Sequence, residues 1–284
     1  MKLRQQMLKL YPFLKLYQRV QQKAFAAKPL RVLLFHEITN LTRFEELITS
    51  LIKDYSFLTP EEFEQVVDGQ KKLERPSLLV TFDDGYKSSF EAAMKVLEPK
   101  NIKSVFFIST NFMDLDAKES FQFVKNNIQV PLKAWDEHFL AMTWDEVREL
   151  HRLGHKIASH TGNHARMNTL TDTKEFLLEL QSSADSIETQ IGSKPEWFAY
   201  PFGDIGSINA RALQEIKKSY KKCFAGVRGW VSPGDSPYAL TRESMSLNDE
   251  HSFNEMIVLG ALDPYYSLAR KKLHQMDEQS SQSL

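Results

Sequence analysis

The stretch Ser77 to Tyr86, SLLVTFDDGY, constrains the fold most: an apolar run ends in two adjacent carboxylates and a glycine. Side chains alternate along a strand and the chain turns at Gly85, so Asp83 and Asp84 cannot share one environment. The pair invites a division of labour in which one carboxylate holds a metal and the other moves a proton. An acidic pair before a glycine is also an ordinary turn or helix start. It needs partners elsewhere in the chain.

A chain of 284 residues suits one large domain with an ample core. A formal net charge of −1 argues against nucleic acid as the main partner. The charge is uneven, because Lys2, Arg4, Lys9, Lys15, Arg19, Lys23, Lys28 and Arg31 all precede the first acidic residue, Glu37. Within residues 1–29, Leu3, Met7, Leu10, Leu14, Tyr17 and Val20 fall at mostly helical spacing among these bases. That basic amphipathic arm suits an interfacial helix at an anionic membrane, or a helix packed on the domain's own surface. Cys223 is the only cysteine, which excludes an internal disulfide and a cysteine metal cluster. Lys9, Pro12 and Lys15 interrupt the run from Leu8 to Leu16, a poor signal-peptide core, so a cytoplasmic location is expected.

Along the chain, strand-like runs alternate with helical patterns. Strands are expected at 30–35, 77–82, 103–109, 156–159, 197–200, 223–227 and 240–245. Thr59 with Glu62 and Thr143 with Glu146 form capping boxes that start helices, and a long helical pattern from about Asp172 to Ile191 is closed by Gly192. Helices are also expected at 86–97, 208–220 and 253–272. Residues 111–142 lack clean periodicity and read as an insertion beside the main domain, and 273–284 as a polar flexible tail. The alternation indicates parallel β/α units.

His160 and His164 form H-x-x-x-H, a spacing that places two imidazoles on one metal when the segment is helical or tightly turned. His151 and His155 share the spacing, but Gly154 between them marks a helix end where the two diverge. His160 and His164 instead follow a strand directly, as do Asp83 with Asp84 and Tyr200-Pro201-Phe202-Gly203. Three such motifs converge at the carboxyl face of a barrel, where these folds keep their active sites. His36 also ends a strand, either buried and structural or close to that site. Two histidines and one carboxylate leave open positions on a divalent metal, which suits hydrolysis and frees the second carboxylate as general base.

TFDDG at 81–85, SHTGNH at 159–164 and FAYPFG at 198–203 resemble the successive motifs of the polysaccharide deacetylase family, also called the NodB homology domain or carbohydrate esterase family 4. The similarity runs from about Leu30 to Met245 and includes MTWDEVRELHRLGHKIASH before the histidine motif. The resemblance implies a distorted (β/α) barrel that removes an N-acetyl, or less often an O-acetyl, group from a sugar with a divalent metal, usually Zn2+, with Co2+ or Ni2+ as alternatives. By position it implies Asp84, His160 and His164 as metal ligands, Asp83 as catalytic base, and the Phe202 N–H as an oxyanion donor. The chain departs from the family where Ala199 stands at a position often held by arginine. Arg242 resembles a late arginine of the FxYPxG branch that serves instead, against the alternative of a surface ion pair. The late Leu-His-Asp segment that supplies a general acid is missing, and His251 is a weak replacement.

Tyr200 and Trp230 are candidate sugar contacts, Trp230 equally an ordinary packing residue. An N-acetylated glycan precursor handled on the cytoplasmic side is the expected substrate. Two other classes compete: a glycan-binding protein that keeps the barrel without turnover, and an iron oxygenase with a two-histidine, one-carboxylate triad.

Overall fold

The computed structural model describes residues 29–282 apart from Lys133 and Trp135, together with Phe13. The basic arm expected over 1–29 therefore lies outside the described residues, Phe13 and Pro29 excepted. The strands are β1 (Leu30–Phe35), β2 (Ser56–Phe57), β3 (Ser77–Phe82), β4 (Ser104–Ile108), β5 (Lys156–Ser159), β6 (Trp197–Ala199), β7 (Lys222–Phe224) and β8 (Glu243–Ser244). The helices are α1 (Leu41–Asp54), α2 (Pro60–Val67), α3 (Lys87–Ala92), α4 (Ala117–Phe123), α5 (Trp144–Arg152), α6 (Thr173–Phe176), α7 (Ser182–Ile191), α8 (Ala210–Ser219), α9 (His251–Val258) and α10 (Ser267–Gln282).

The strands run parallel in the order β7-β6-β5-β4-β3-β1-β8. Because β4 first meets β3 at Val80, Ser77 and Leu78 are left to β2. Leu240 bridges Phe224 of β7, and Glu243 and Ser244 pair with Leu33 and Leu34 of β1. One short strip thus joins both edges, and the sheet curls into the distorted (β/α) barrel that the motifs implied.

Alternation along these strands sorts the core. Val32, Leu79, Val105, Phe107, Ala158, Ala199 and Phe224 share an interior cluster with Phe63 and Val66 of α2. Their neighbours Leu33, Val80, Phe82, Phe106 and Ile157 face outward into the helical layer. Phe63 meets Trp197 at 5.6 Å and Phe224 at 5.8 Å, so α2 plugs the amino end of the barrel. Buried apolar side chains of this size contribute about 1.5–3 kcal/mol each. The parity matters for the site: Asp83 continues the inward set of Leu79 and Thr81.

Several expectations are corrected. Helix α1 falls in a stretch read as nothing, although Asn40 caps it and Phe44, Leu47, Ile48 and Leu51 form its buried stripe. Residues 111–142 are no appendage: Phe112, Phe123, Val124, Phe139 and Met142 join the outward core. Helix α4 runs into a π turn at Val124–Ile128, and the extra residue shifts the apolar register, which hides the helical period. The closing helix is two helices, parted near Gly260, whose φ is +83°. The tail expected from 273 is helical to Gln282, with Leu273 fully buried and Asp277 paired to Lys217 at 2.7 Å. Its polar letters concealed a single packed stripe.

His155 is structural, as its place at a helix end suggested. Its Nδ1 accepts from the Ser104 N–H at 3.0 Å, and its Nε2 lies 3.0 Å from Glu98. Burial lowers its pKa to about 4 despite the Glu98 charge. Below its ordinary pKa near 6.5 the unfolded chain binds a proton that the folded chain refuses, so stability falls between about pH 6.5 and about pH 4, by roughly 3 kcal/mol in all. Denaturation midpoints followed from neutral to mildly acid pH should therefore drop less steeply for His155→Gln than for the parent.

Candidate active site

The motifs meet at the carboxyl ends of β3, β5 and β6. Asp83 extends β3, its N–H bonded to Phe35 O at 2.9 Å. Asp84 then takes φ +72° and Gly85 φ +103°, so the chain leaves the strand alternation and the two carboxylates part. Aspartate tolerates the left-handed region better than most residues. Gly85 is strained for any side chain at φ +103°, and a Cβ there would also push Met113 Cε, 2.3 Å away, aside.

Asp84 Oδ1 lies 3.4 Å from His160 Nε2 and 3.2 Å from His164 Nε2, and the three ligand atoms fall within 4.8 Å of one another. All three side chains are buried. His160 Nδ1 is 2.7 Å from Ala199 O and His164 Nδ1 is 3.1 Å from Asn127 O. A carbonyl only accepts, so each Nδ1 carries the proton and each Nε2 presents a lone pair toward Asp84. Neither Asp84 oxygen has a hydrogen-bond partner among the described residues. A buried, ionised, unpartnered carboxylate is costly unless a cation satisfies it. The donor set fits a divalent ion.

Asp83 is held from inside the barrel. Arg242 Nη1 and Nη2 donate to its two oxygens at 2.6 and 2.8 Å, and Arg242 Nε donates to Ala225 O at 3.0 Å. Arg242 is fully buried, so the surface-pair alternative is replaced by an internal clamp. Asp83 Oδ2 stands 4.0 Å from His160 Nε2, beside the ligand set but outside it.

In the third motif Phe202 has φ +66°, its ring 4.7 Å from His164, and its N–H has no hydrogen-bond partner among the described residues. Tyr200 is not a sugar contact: it is buried and its hydroxyl donates to Gly203 O at 2.9 Å, shaping the turn. Trp230 is also misplaced as a sugar contact. Val231 beside it bridges Leu30 at the amino end of β1. A six-residue strand spans about 16 Å between its first and last Cα. Trp230 thus sits at the far end of the barrel, beneath the Arg270 guanidinium at 5.2 Å. His251 contacts Glu255 at the start of α9.

His36 follows β1 directly and acts electrostatically on both Asp84 and Glu37. Glu37 was not singled out from sequence; burial pushes its carboxyl up. Tyr86 was missed as well, its buried hydroxyl without a hydrogen-bond partner among the described residues and close enough to Asp84 to feel its charge. Asn127 was missed because it serves through its backbone carbonyl, which leaves no mark in the residue type.

A family model described as polysaccharide deacetylase matches residues 70–221. YxkH of Bacillus subtilis, named as a polysaccharide deacetylase, is 25% identical over 193 residues, 68% of this chain and 60% of YxkH. The poly-beta-1,6-N-acetyl-D-glucosamine N-deacetylase of Escherichia coli is 25% identical over 177 residues, 53% of this chain and 25% of that protein. The chain therefore spans less than two thirds of either relative. The solved structure of IcaB from Ammonifex degensii superposes with a TM-score of 0.65 at 20% identity, covering 82% of this chain and 97% of that one. The Streptococcus pyogenes deacetylase PplD in complex with acetate gives 0.65 at 18% identity, covering 82% and 99%. These structural likenesses establish the fold, and the family match over more than half of the chain, carrying the acidic pair and both histidines, makes it a member of the polysaccharide deacetylase family.

Proposed function

We propose that the protein is a metal-dependent deacetylase that hydrolyses the N-acetyl group of a sugar in a glycan or glycan precursor. The observation that carries this reading is the convergence of the two Nε2 lone pairs and the unpartnered Asp84 carboxylate on one point, beside a second carboxylate held apart by Arg242. Asp84, His160 and His164 would hold Zn2+, with Co2+ or Ni2+ as substitutes, and the ion would supply Lewis acidity toward the acetyl carbonyl and the attacking water.

Asp83 takes the proton from that water. Its two oxygens accept from Arg242, yet each keeps a further lone pair, so the guanidinium fixes the base without blocking it. The Phe202 N–H donates to the oxygen on which charge develops. Asp83, protonated in that step, returns the proton to the leaving amine, a role that the missing Leu-His-Asp segment leaves open. A binding protein needs no such pairing of a ligand set with a clamped base, and an iron oxygenase has no use for Asp83.

The names of the relatives support an N-acetylglucosamine polymer or its precursor as substrate class. Among the described residues no helix is long and apolar enough to cross a membrane. The basic residues and helically spaced apolar residues of 1–29 support our proposal that this segment touches the anionic inner face of the membrane from the cytoplasm, a location that fractionation of the full-length protein outside the membrane would overturn. The function is tested by acetate release from free, nucleotide-linked, lipid-linked and polymeric N-acetylglucosamine by metal-stripped protein, with Zn2+, Co2+ or Ni2+ restored. Release from at least one substrate, dependent on restored metal, is expected. Normal metal binding with no release from any of them would favour the binding protein.

A further inference from the structure

The loop that carries His164 is conformationally expensive. Thr161 has φ +69° and His164 φ +57°, two non-glycine residues in the left-handed region within four positions. Such backbone persists only where its surroundings over-determine it. The fold supplies that determination from three directions. Thr110 N–H donates to Thr161 O at 3.1 Å and Asn111 N–H to Gly162 O at 2.9 Å. Asn127 Nδ2 donates to Asn163 O at 3.0 Å, while its carbonyl faces His164 Nδ1. The third direction is Glu179.

Glu179 is a carboxylate only 8% exposed on the π turn Leu177–Gln181 between α6 and α7. No cation pairs with it among the described residues. Its Oε2 accepts from the Asn163 N–H and its Oε1 from Asn163 Nδ2, both at 2.8 Å, and its backbone carbonyl accepts from the Gly162 N–H at 3.1 Å. Asn163 Oδ1 in turn accepts from Asn111 Nδ2 at 2.8 Å. A buried carboxylate without a cation is costly, and a helix interior offers it nothing. The π turn brings it inward while its neighbours Leu177 and Leu178 stand 53% and 63% exposed. Helices widened by one residue recur at functional sites. Charge-assisted hydrogen bonds of this kind are about twice as strong as neutral ones, and two from one residue fix its orientation.

We propose that Glu179 is a positioning residue for the metal site: through its two-point hold on Asn163 it sets the place and tilt of the His164 imidazole. The inference rests on the reading of Asp84, His160 and His164 as metal ligands. It adds a residue that touches neither metal nor substrate, supplied by a helix that carries no other part of the site.

The test is zinc affinity, measured by competition with a chromophoric chelator on the metal-stripped full chain, together with the visible absorption of the cobalt-loaded protein. Residues that orient metal ligands typically govern 10–100-fold in affinity. Glu179→Gln keeps the shape but replaces one acceptor with a donor facing another donor, and is expected to lose about tenfold with an altered cobalt spectrum. Glu179→Ala should lose up to about 100-fold. Asn163→Ala removes the side-chain half of the clamp and keeps the backbone half, so about tenfold is expected there also. Combined with Glu179→Gln it should add little, since both act through one contact. Glu188→Gln, an exposed carboxylate on α7, should leave affinity and spectrum unchanged. Glu179→Gln and Asn163→Ala proteins that bind zinc with parental affinity and spectrum would overturn the inference. A parent chain that binds no zinc would instead overturn the reading of the site, and the inference with it.

Discussion

Asp83→Asn is expected to lower the rate of acetate release by about 10²–10⁴-fold at saturating substrate, the usual worth of a positioned general base, with zinc affinity nearly unchanged. The amide has almost the shape of the carboxylate but cannot take a proton from water. Asp83 stands outside the ligand set, 4.0 Å from His160 Nε2, so its loss as a charge leaves the three ligand atoms in place. The pairing of lost turnover with retained metal separates the two aspartates. Asp84→Asn should instead lose zinc first and activity as a consequence. Metal content and turnover, measured on the same preparations, check both.

The second large effect is on stability. Arg242→Met removes the only guanidinium among the described residues that reaches Asp83, leaving a carboxylate buried inside the barrel without its two charge-assisted bonds. Breaking one partner of a buried ion pair typically costs roughly 3–5 kcal/mol, and a loss of that size should appear in the urea midpoint. Lost packing is a smaller part, because Met fills much of the volume beside Phe107, whose ring lies 5.1 Å from the guanidinium. The double variant, Arg242→Met with Asp83→Asn, distinguishes an orphaned charge from a damaged core. It should regain much of the stability lost in the single variant and remain inactive. Equal instability in single and double variants would assign the loss to packing.

The parts of the site that were legible in sequence are those written in residue type at strand ends. Asp83, Asp84, His160 and His164 each follow a short apolar run, and parallel strands bring such positions to one face. The barrel was legible for the same reason, since the alternation of strands and helices survives in the apolar pattern. What stayed hidden works through backbone or through distance. The carbonyls of Ala199 and Asn127 fix the two imidazoles, and a carbonyl is the same in every residue. Arg242 lies 159 positions from Asp83, so composition and periodicity could not choose between a buried clamp and a surface pair.

Tyr200 and Trp230 were misread because aromatic type suggests a sugar face, whereas burial and strand end decide whether a face is available. Tyr200 spends its hydroxyl on Gly203, and Trp230 stands beside the start of β1. Helix α4 was lost where the π turn at 124–128 shifts the apolar stripe by one residue, whereas the helical patterns at 86–97 and 172–191 stayed legible across theirs. The last helix was cut short at 272 because only a few of its later residues face the core.

On the proposed function, Asp84, His160 and His164 hold one catalytic ion beside an independent base, Asp83. That assignment is tested most directly by titrating metal-stripped protein with zinc while following acetate release from an N-acetylglucosamine oligomer. Release should rise in proportion to zinc, level off at a single equivalent, and stay at background throughout for His160→Ala. Release that is unaffected by stripping the metal, or that survives intact in His160→Ala, would contradict the account.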